Sequence, residues 1–170
     1  MAGKTKLRLG DLVSIPSIDE QVAYSLVVGK YHTAFFVAVY DGVYQPGDQD
    51  ALASAKTAAF ALIALTFDAK VVNGQWPVLG RMDFSPDEIP FPAYRLDDGG
   101  RALVEDHTGT QSRPARTSVE QSLRYRKLIS PQILEDAVKA LSQAAPWIPN
   151  YDALVVPPPG ARSSDLFPAS

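Results

Sequence analysis

The pattern of hydrophobic and polar positions is most informative between Val22 and Asp41, where two β-type segments read VAYSLVVGK and AFFVAVYDG. The first places Val22, Tyr24, Leu26 and Val28 on one face and Ala23, Ser25, Val27 and Gly29 on the other. The second is apolar on both faces, with Phe35, Val37 and Val39 against Phe36, Ala38 and Tyr40. Period-2 alternation beside a two-faced apolar run predicts an edge-proximal strand paired with a central one. The linker Lys30-Tyr31-His32-Thr33 is short enough for an antiparallel hairpin. A short first strand begins near Gly10 and is ended by Pro16. Phe60, Leu62, Ala64 and Thr66 against Ile63, Leu65 and Phe67 predict a buried central strand within 58–67. Asn73-Gly74 marks a turn before the short edge segment Trp76–Gly80. Two further strands, 91–96 and 101–105, form a hairpin across the four residues Asp97-Asp98-Gly99-Gly100.

Helices are announced by their caps. Asp50 is placed to cap a short alanine-rich helix over 51–57. Thr117-Ser-Val-Glu120 has the form of a capping box and predicts a helix running to about Lys127. Ser130-Pro131 opens another, with Ile133, Leu134, Ala137, Val138 and Leu141 on one face and an end before Pro146. The fold class predicted is α+β and mostly β: a curved antiparallel sheet or partly closed barrel carrying a short crossover helix and two C-terminal helices. Residues 1–156 read as one domain and 157–170 as a Pro-rich, extended, loosely held tail.

Composition narrows the function classes. The chain has 170 residues, 46% hydrophobic and 21% charged, within the globular range. Its net charge of −3 argues against nucleic acid or an anionic membrane as a default partner. Without cysteine there is no disulfide, zinc-thiolate site or thiol nucleophile. The longest apolar run, 58–65, is too short to span a bilayer, and the basic start is followed by Gly10-Asp11 instead of an apolar core, so a cytoplasmic location is expected.

The candidate chemistry is thin. His32 and His107 stand alone in predicted turns, where a solvated histidine is the expectation, and neither has metal-ligand spacing. The nucleophile-elbow, Walker A and dinucleotide signatures do not occur in the sequence. No catalytic residue, metal ligand or cofactor is assigned. Asp19-Glu20, Asp87-Glu88 and Asp97-Asp98 lie in predicted turns, where carboxylates solvate well; projected from a rigid sheet, they would also meet a basic partner. Arg113, Arg116, Arg124, Arg126 and Lys127 stand against the single Glu120, a local charge of +4. With Tyr125 interleaved, this run suits either a solvated face or a nucleic-acid contact. Trp76 reads as a core anchor; Trp147 reads as core or interface.

Several elements in order resemble a known family. Gly10-Asp11-Leu12-Val13-Ser14-Ile15-Pro16, then VAYSLVVGK, FFVAVYDG, a buried FALIAL strand and Gly74-Gln75-Trp76-Pro77-Val78-Leu79-Gly80 resemble the Immunity protein 26 family of bacterial polymorphic toxin systems, over roughly residues 9–145. The family's first strand reads G-D-hydrophobic-hydrophobic-x-I-P, its second is Y-A-Y-G-like, and a G-x-W-x-x-I-G segment precedes the mid-chain strands. The resemblance implies a mostly β, non-catalytic domain that binds a cognate toxin and blocks it. For a basic toxin, the expected contacts are Asp19, Glu20, Asp87, Glu88, Asp97 and Asp98, with Trp147 and Tyr151 as aromatic anchors. The alternatives are a small β-barrel binding nucleic acid through 113–127 or another protein-interaction module, and an enzyme, which would need a concave polar pocket with perturbed carboxylates.

Overall fold

The computed structural model describes residues 6–169. In chain order the elements are β1 (Asp11–Pro16), β2 (Val22–Tyr31), β3 (Ala34–Tyr40), α1 (Gln49–Ala55), β4 (Phe60–Thr66), α2 (Ala69–Val72), β5 (Val78–Arg81), β6 (Tyr94–Asp98) and β7 (Arg101–Glu105). They continue with β8 (Ser112–Pro114), α3 (Ser118–Gln121), β9 (Leu128–Ile129), α4 (Pro131–Leu141) and α5 (Ser163–Leu166). The fold is α+β with more strand than helix, as the periodicity predicts. The chain divides into two compact units, one of residues 1–84 and 128–155, the other of residues 85–127 and 156–170.

The first unit is built on a six-stranded mixed sheet in the order β5-β1-β2-β3-β4-β9. All pairs are antiparallel except β4 with β9, and the sheet does not close into a barrel. The β2–β3 hairpin forms as predicted, but β2 is an interior strand flanked by β1 and β3, not an edge-proximal one. The alternation misleads because the second face of β2 carries small residues. Ala23 and Val27 join the core beneath the sheet, and the Ser25 hydroxyl, fully buried, donates to the Val13 carbonyl at 3.0 Å. A satisfied serine is admitted to an interior strand at little cost. Val37 and Val39 of β3 lie in the same core, as do Leu62 and Ala64 of β4.

Helix α4 begins where its cap signals place it. The Ser130 hydroxyl accepts from the Ile133 N–H, and Pro131 stands at the first turn. Leu134, Ala137 and Val138 enter the core, whereas Ile133 is 38% exposed. Trp76, 2% exposed, enters the same core and donates its indole N–H to Glu135 Oε2 at 3.0 Å, as a buried tryptophan requires. Lys70 and Lys139 pair with the same carboxylate. Burial disfavours the Glu135 charge, and the hydrogen bonds from Lys70, Trp76 and Lys139 outweigh that cost, holding the carboxyl below its usual value. Helix α1 starts two residues earlier than predicted, because Asp48, not Asp50, accepts from the first-turn N–H groups of Asp50 and Ala51.

The second unit holds the three-stranded antiparallel sheet β6-β7-β8. Its first hairpin is tighter than predicted. Gly99 and Gly100, with φ of 56° and 83°, form the two-residue turn alone, so Asp97 and Asp98 belong to β6. Thr117 caps α3 as expected, its hydroxyl accepting from the Glu120 N–H, but the helix stops at Gln121 instead of near Lys127. Extended pairing takes over: the Arg95 N–H donates to the Arg124 carbonyl at 2.9 Å, and Tyr125 bridges to Arg95. Tertiary hydrogen bonds override the local helix signal here.

The segment from Pro157 also departs from the loosely held tail its prolines predict. The Ser163 N–H donates to the Phe91 carbonyl at 2.8 Å and the Ala93 N–H to the Ala161 carbonyl at 3.1 Å. Leu166 and Phe167 pack on the small core of Ala93, Val104 and Leu123. Proline removes donors without preventing burial of the apolar residues between.

Candidate partner-binding surfaces

Of the predicted contact residues, Asp19 and Glu20 are the most unusual. They form the tip of the β1–β2 connection with φ of 52° and 60°, closed by a Gln21 N–H to Ile18 carbonyl bond of 3.0 Å. Consecutive left-handed residues define a turn that favours Asn-Gly. Filling it with Asp-Glu costs about 1–2 kcal/mol per residue. Both side chains are exposed. Ser17 joins this turn to the C-cap of α4 through a 3.2 Å contact between the Ser17 and Ser142 hydroxyls.

Trp147 and Tyr151, the predicted anchors, meet in the same unit. Their rings stand edge to face with centroids 5.4 Å apart. Asp152 accepts from the Trp147 indole N–H at 2.7 Å, fixing a ring that is 38% exposed, while Tyr151 rests against the core of the unit. A rigid aromatic with one face wet is the usual composition of an interface anchor.

The remaining carboxylates belong to the second unit. Asp87 and Glu88 are exposed on a short 3-10 turn, Pro86–Glu88. Asp98 is exposed at the end of β6. Asp97 is already engaged, accepting from the Tyr125 hydroxyl at 2.7 Å and from Arg95 Nε at 2.9 Å. Those bonds, Tyr125 first and Arg95 second, hold its carboxyl below the ordinary range.

The basic run 113–127 does not form a nucleic-acid face of five free cations. Arg113 grips Glu120 with two bonds of 3.0 and 2.8 Å. Arg126 pairs with Glu105, donates to the carbonyls of His107 and Asp106, and lies 4.3 Å over the Tyr94 ring. Arg116 and Lys127 remain exposed. The Arg113 bonds, against the cost of burial and with help from the Arg116 and Thr117 N–H groups, lower the Glu120 carboxyl from 4.5 to about 2.

His107 is not the solvated residue its turn predicts, whereas His32 is exposed. Its ring stacks on Phe91 with centroids 3.9 Å apart, and its Nδ1 lies 2.9 Å from Ser163 Oγ. Burial, together with nearby Arg126, lowers its pKa against the opposing charge of Asp106. The Ser–His distance is that of a nucleophile and base. However, Ser163 is 4% exposed and its oxygen also accepts from the His107 backbone N–H. Asp106 accepts from the Thr108 hydroxyl and the N–H groups of Thr110 and Gln111. The arrangement fastens a turn.

Two motifs separated by more than sixty residues of sequence come together at the sheet margin. β1 pairs with the edge strand β5 in the register Asp11↔Arg81 and Leu12↔Gly80, then steps to Val13↔Val78, so that Leu79 is the extra residue of a β-bulge. Asp11, 4% exposed, accepts from the Arg8 N–H at 2.8 Å and pairs with Arg81 Nε at 3.4 Å. Arg81 also donates to the Leu9 carbonyl. Gly10 is required here: its φ is 90°, and a Cβ would stand 2.8 Å from the Met82 carbonyl oxygen. This corner floors an open depression of about 510 Å³ lined by Lys6, Arg8, Asp11, Arg81 and the exposed Leu79.

Taken together, these features define an α+β protein whose first motif sets the corner of a sheet and whose acidic turn residues and Trp147 are exposed. The chain belongs to the Immunity protein 26 family, whose model matches residues 8–102. No match was found among curated proteins or among solved structures. The family assignment makes this an immunity protein. Among the described residues no helix is long and apolar enough to cross a membrane.

Proposed function

We propose that this protein binds and neutralises a cognate bacterial polymorphic toxin, one to one, in the cytoplasm of the cell that makes both. Family membership is the observation that carries this reading. It is supported by the cost accepted at Asp19 and Glu20, two exposed carboxylates held in a conformation that folding alone does not favour. The contacts proposed in the first unit are Asp19, Glu20, Trp147 and Tyr151; those in the second are Asp87, Glu88, Asp97 and Asp98. The carboxylates would steer a basic toxin surface and set specificity, and the tryptophan would slow dissociation. Protection lasts only as long as the complex, so a slow off-rate is the mechanism required.

The test is co-expression with the toxin-like product of the adjacent gene. Survival that is lost on combining Asp19→Lys, Glu20→Lys and Trp147→Ala, with folding retained, supports both the function and the contact set. Continued killing in the presence of folded wild-type protein rejects the reading.

A further inference from the structure

We infer that the depression at the β1–β5 corner is a second docking surface, one that takes an acidic segment of the partner polypeptide carrying an aliphatic side chain. The corner is positive in a chain whose net charge is −3. Lys6, Arg8 and Arg81 surround the depression, and Asp11, the acidic residue of the lining, is spent internally on the Arg8 N–H and on Arg81. Arg81 keeps 58% of its side chain exposed, so the cationic rim faces solvent. Within the lining Leu79 is 45% exposed. The β-bulge aims Leu79 outward, an arrangement that secures neither pairing nor burial within the sheet.

An exposed aliphatic side chain with a cationic rim selects among occupants. A single-stranded nucleic acid would match the charge, but its bases need aromatic stacking, and the lining contributes none. A second copy of this chain meeting the patch by a two-fold axis would set Arg8 and Lys6 against their own images. An acidic peptide segment satisfies both the charges and Leu79. The bulge and the brevity of β5 discourage indiscriminate strand addition, so recognition here runs through side chains.

This inference rests on the toxin-binding reading, and the experiment separates the two. The purified full-length protein is titrated with the toxin domain encoded beside its gene, at low and physiological salt. The double variant Lys6→Glu/Arg8→Glu, both exposed side chains, is expected to bind at least about tenfold more weakly, with most of the loss in the association rate. In the wild-type complex, zero-length carbodiimide coupling is expected to join Lys6 to a toxin Asp or Glu, a readout that does not depend on any variant folding. Unchanged affinity of a folded double variant, or no cross-link from Lys6, overturns the second surface and leaves toxin binding standing. No binding by the wild type overturns both. Binding of a short single-stranded RNA that the double variant loses, with toxin affinity intact, also overturns it.

Discussion

Glu120 shows how one side chain fixes a local structure. It is 5% exposed, receives two bonds from Arg113 and holds the N–H groups that open α3. Its folded-state pKa of about 2 lies below the ordinary 4.5, so the contribution of this pair is fully present above pH 4.5 and disappears as pH falls towards 2. Urea unfolding across that window should show stability declining, and Glu120→Gln should flatten the decline while costing about 2 kcal/mol at neutral pH, because Arg113 loses its partner. A Glu120→Gln variant with the wild-type pH profile would remove the pair from the account. At the β1–β2 turn the prediction reverses sign. Replacing Asp19-Glu20 with Asn-Gly supplies the residues that the turn favours and should raise stability by about 1 kcal/mol while weakening toxin binding. A thermal melt read beside an affinity measurement checks it; stabilisation without loss of affinity would take these carboxylates out of the interface.

At the scale of elements, β3 is the spine. Val37 is 2% exposed and lies between Val27 of β2 and Ala64 of β4. Val37→Asp buries an unpaired carboxylate and should cost more than about 4 kcal/mol, abolishing immunity through unfolding. A folded variant that merely failed to bind, by circular dichroism and gel filtration, would contradict that role. The hairpin was legible because every residue of 35–40 is apolar, and the α4 start because Ser130-Pro131 supplies both cap and first turn. The end of α3 was not legible, since the bonds that replace the helix come from Arg95, more than twenty residues earlier. Nor was the partner of Trp76: its burial follows from its neighbours, but Glu135 stands 59 residues away and is brought there only by the packing of α4 on the sheet. Likewise the basic run of 113–127 reads as free charge until Glu105 and Glu120 arrive to neutralise part of it. The candidate carboxylates were legible as exposed acids; the left-handed strain at Asp19 and Glu20 had no signal in composition or period.

At the scale of the whole molecule, the family model covers residues 8–102 and so takes in β1 to β6, while β9, α4, Trp147 and Tyr151 lie beyond it. The candidate carboxylates Asp19, Glu20, Asp87, Glu88, Asp97 and Asp98 therefore lie on the part of the chain that the family model covers, and the two candidate aromatic anchors lie outside it. The central claim is stoichiometric neutralisation, and its most direct measurement is toxin activity titrated with the purified full-length protein. The account predicts activity falling linearly to zero at one equivalent, with a dissociation slow on the scale of the assay. Undiminished toxin activity at excess folded protein would contradict it.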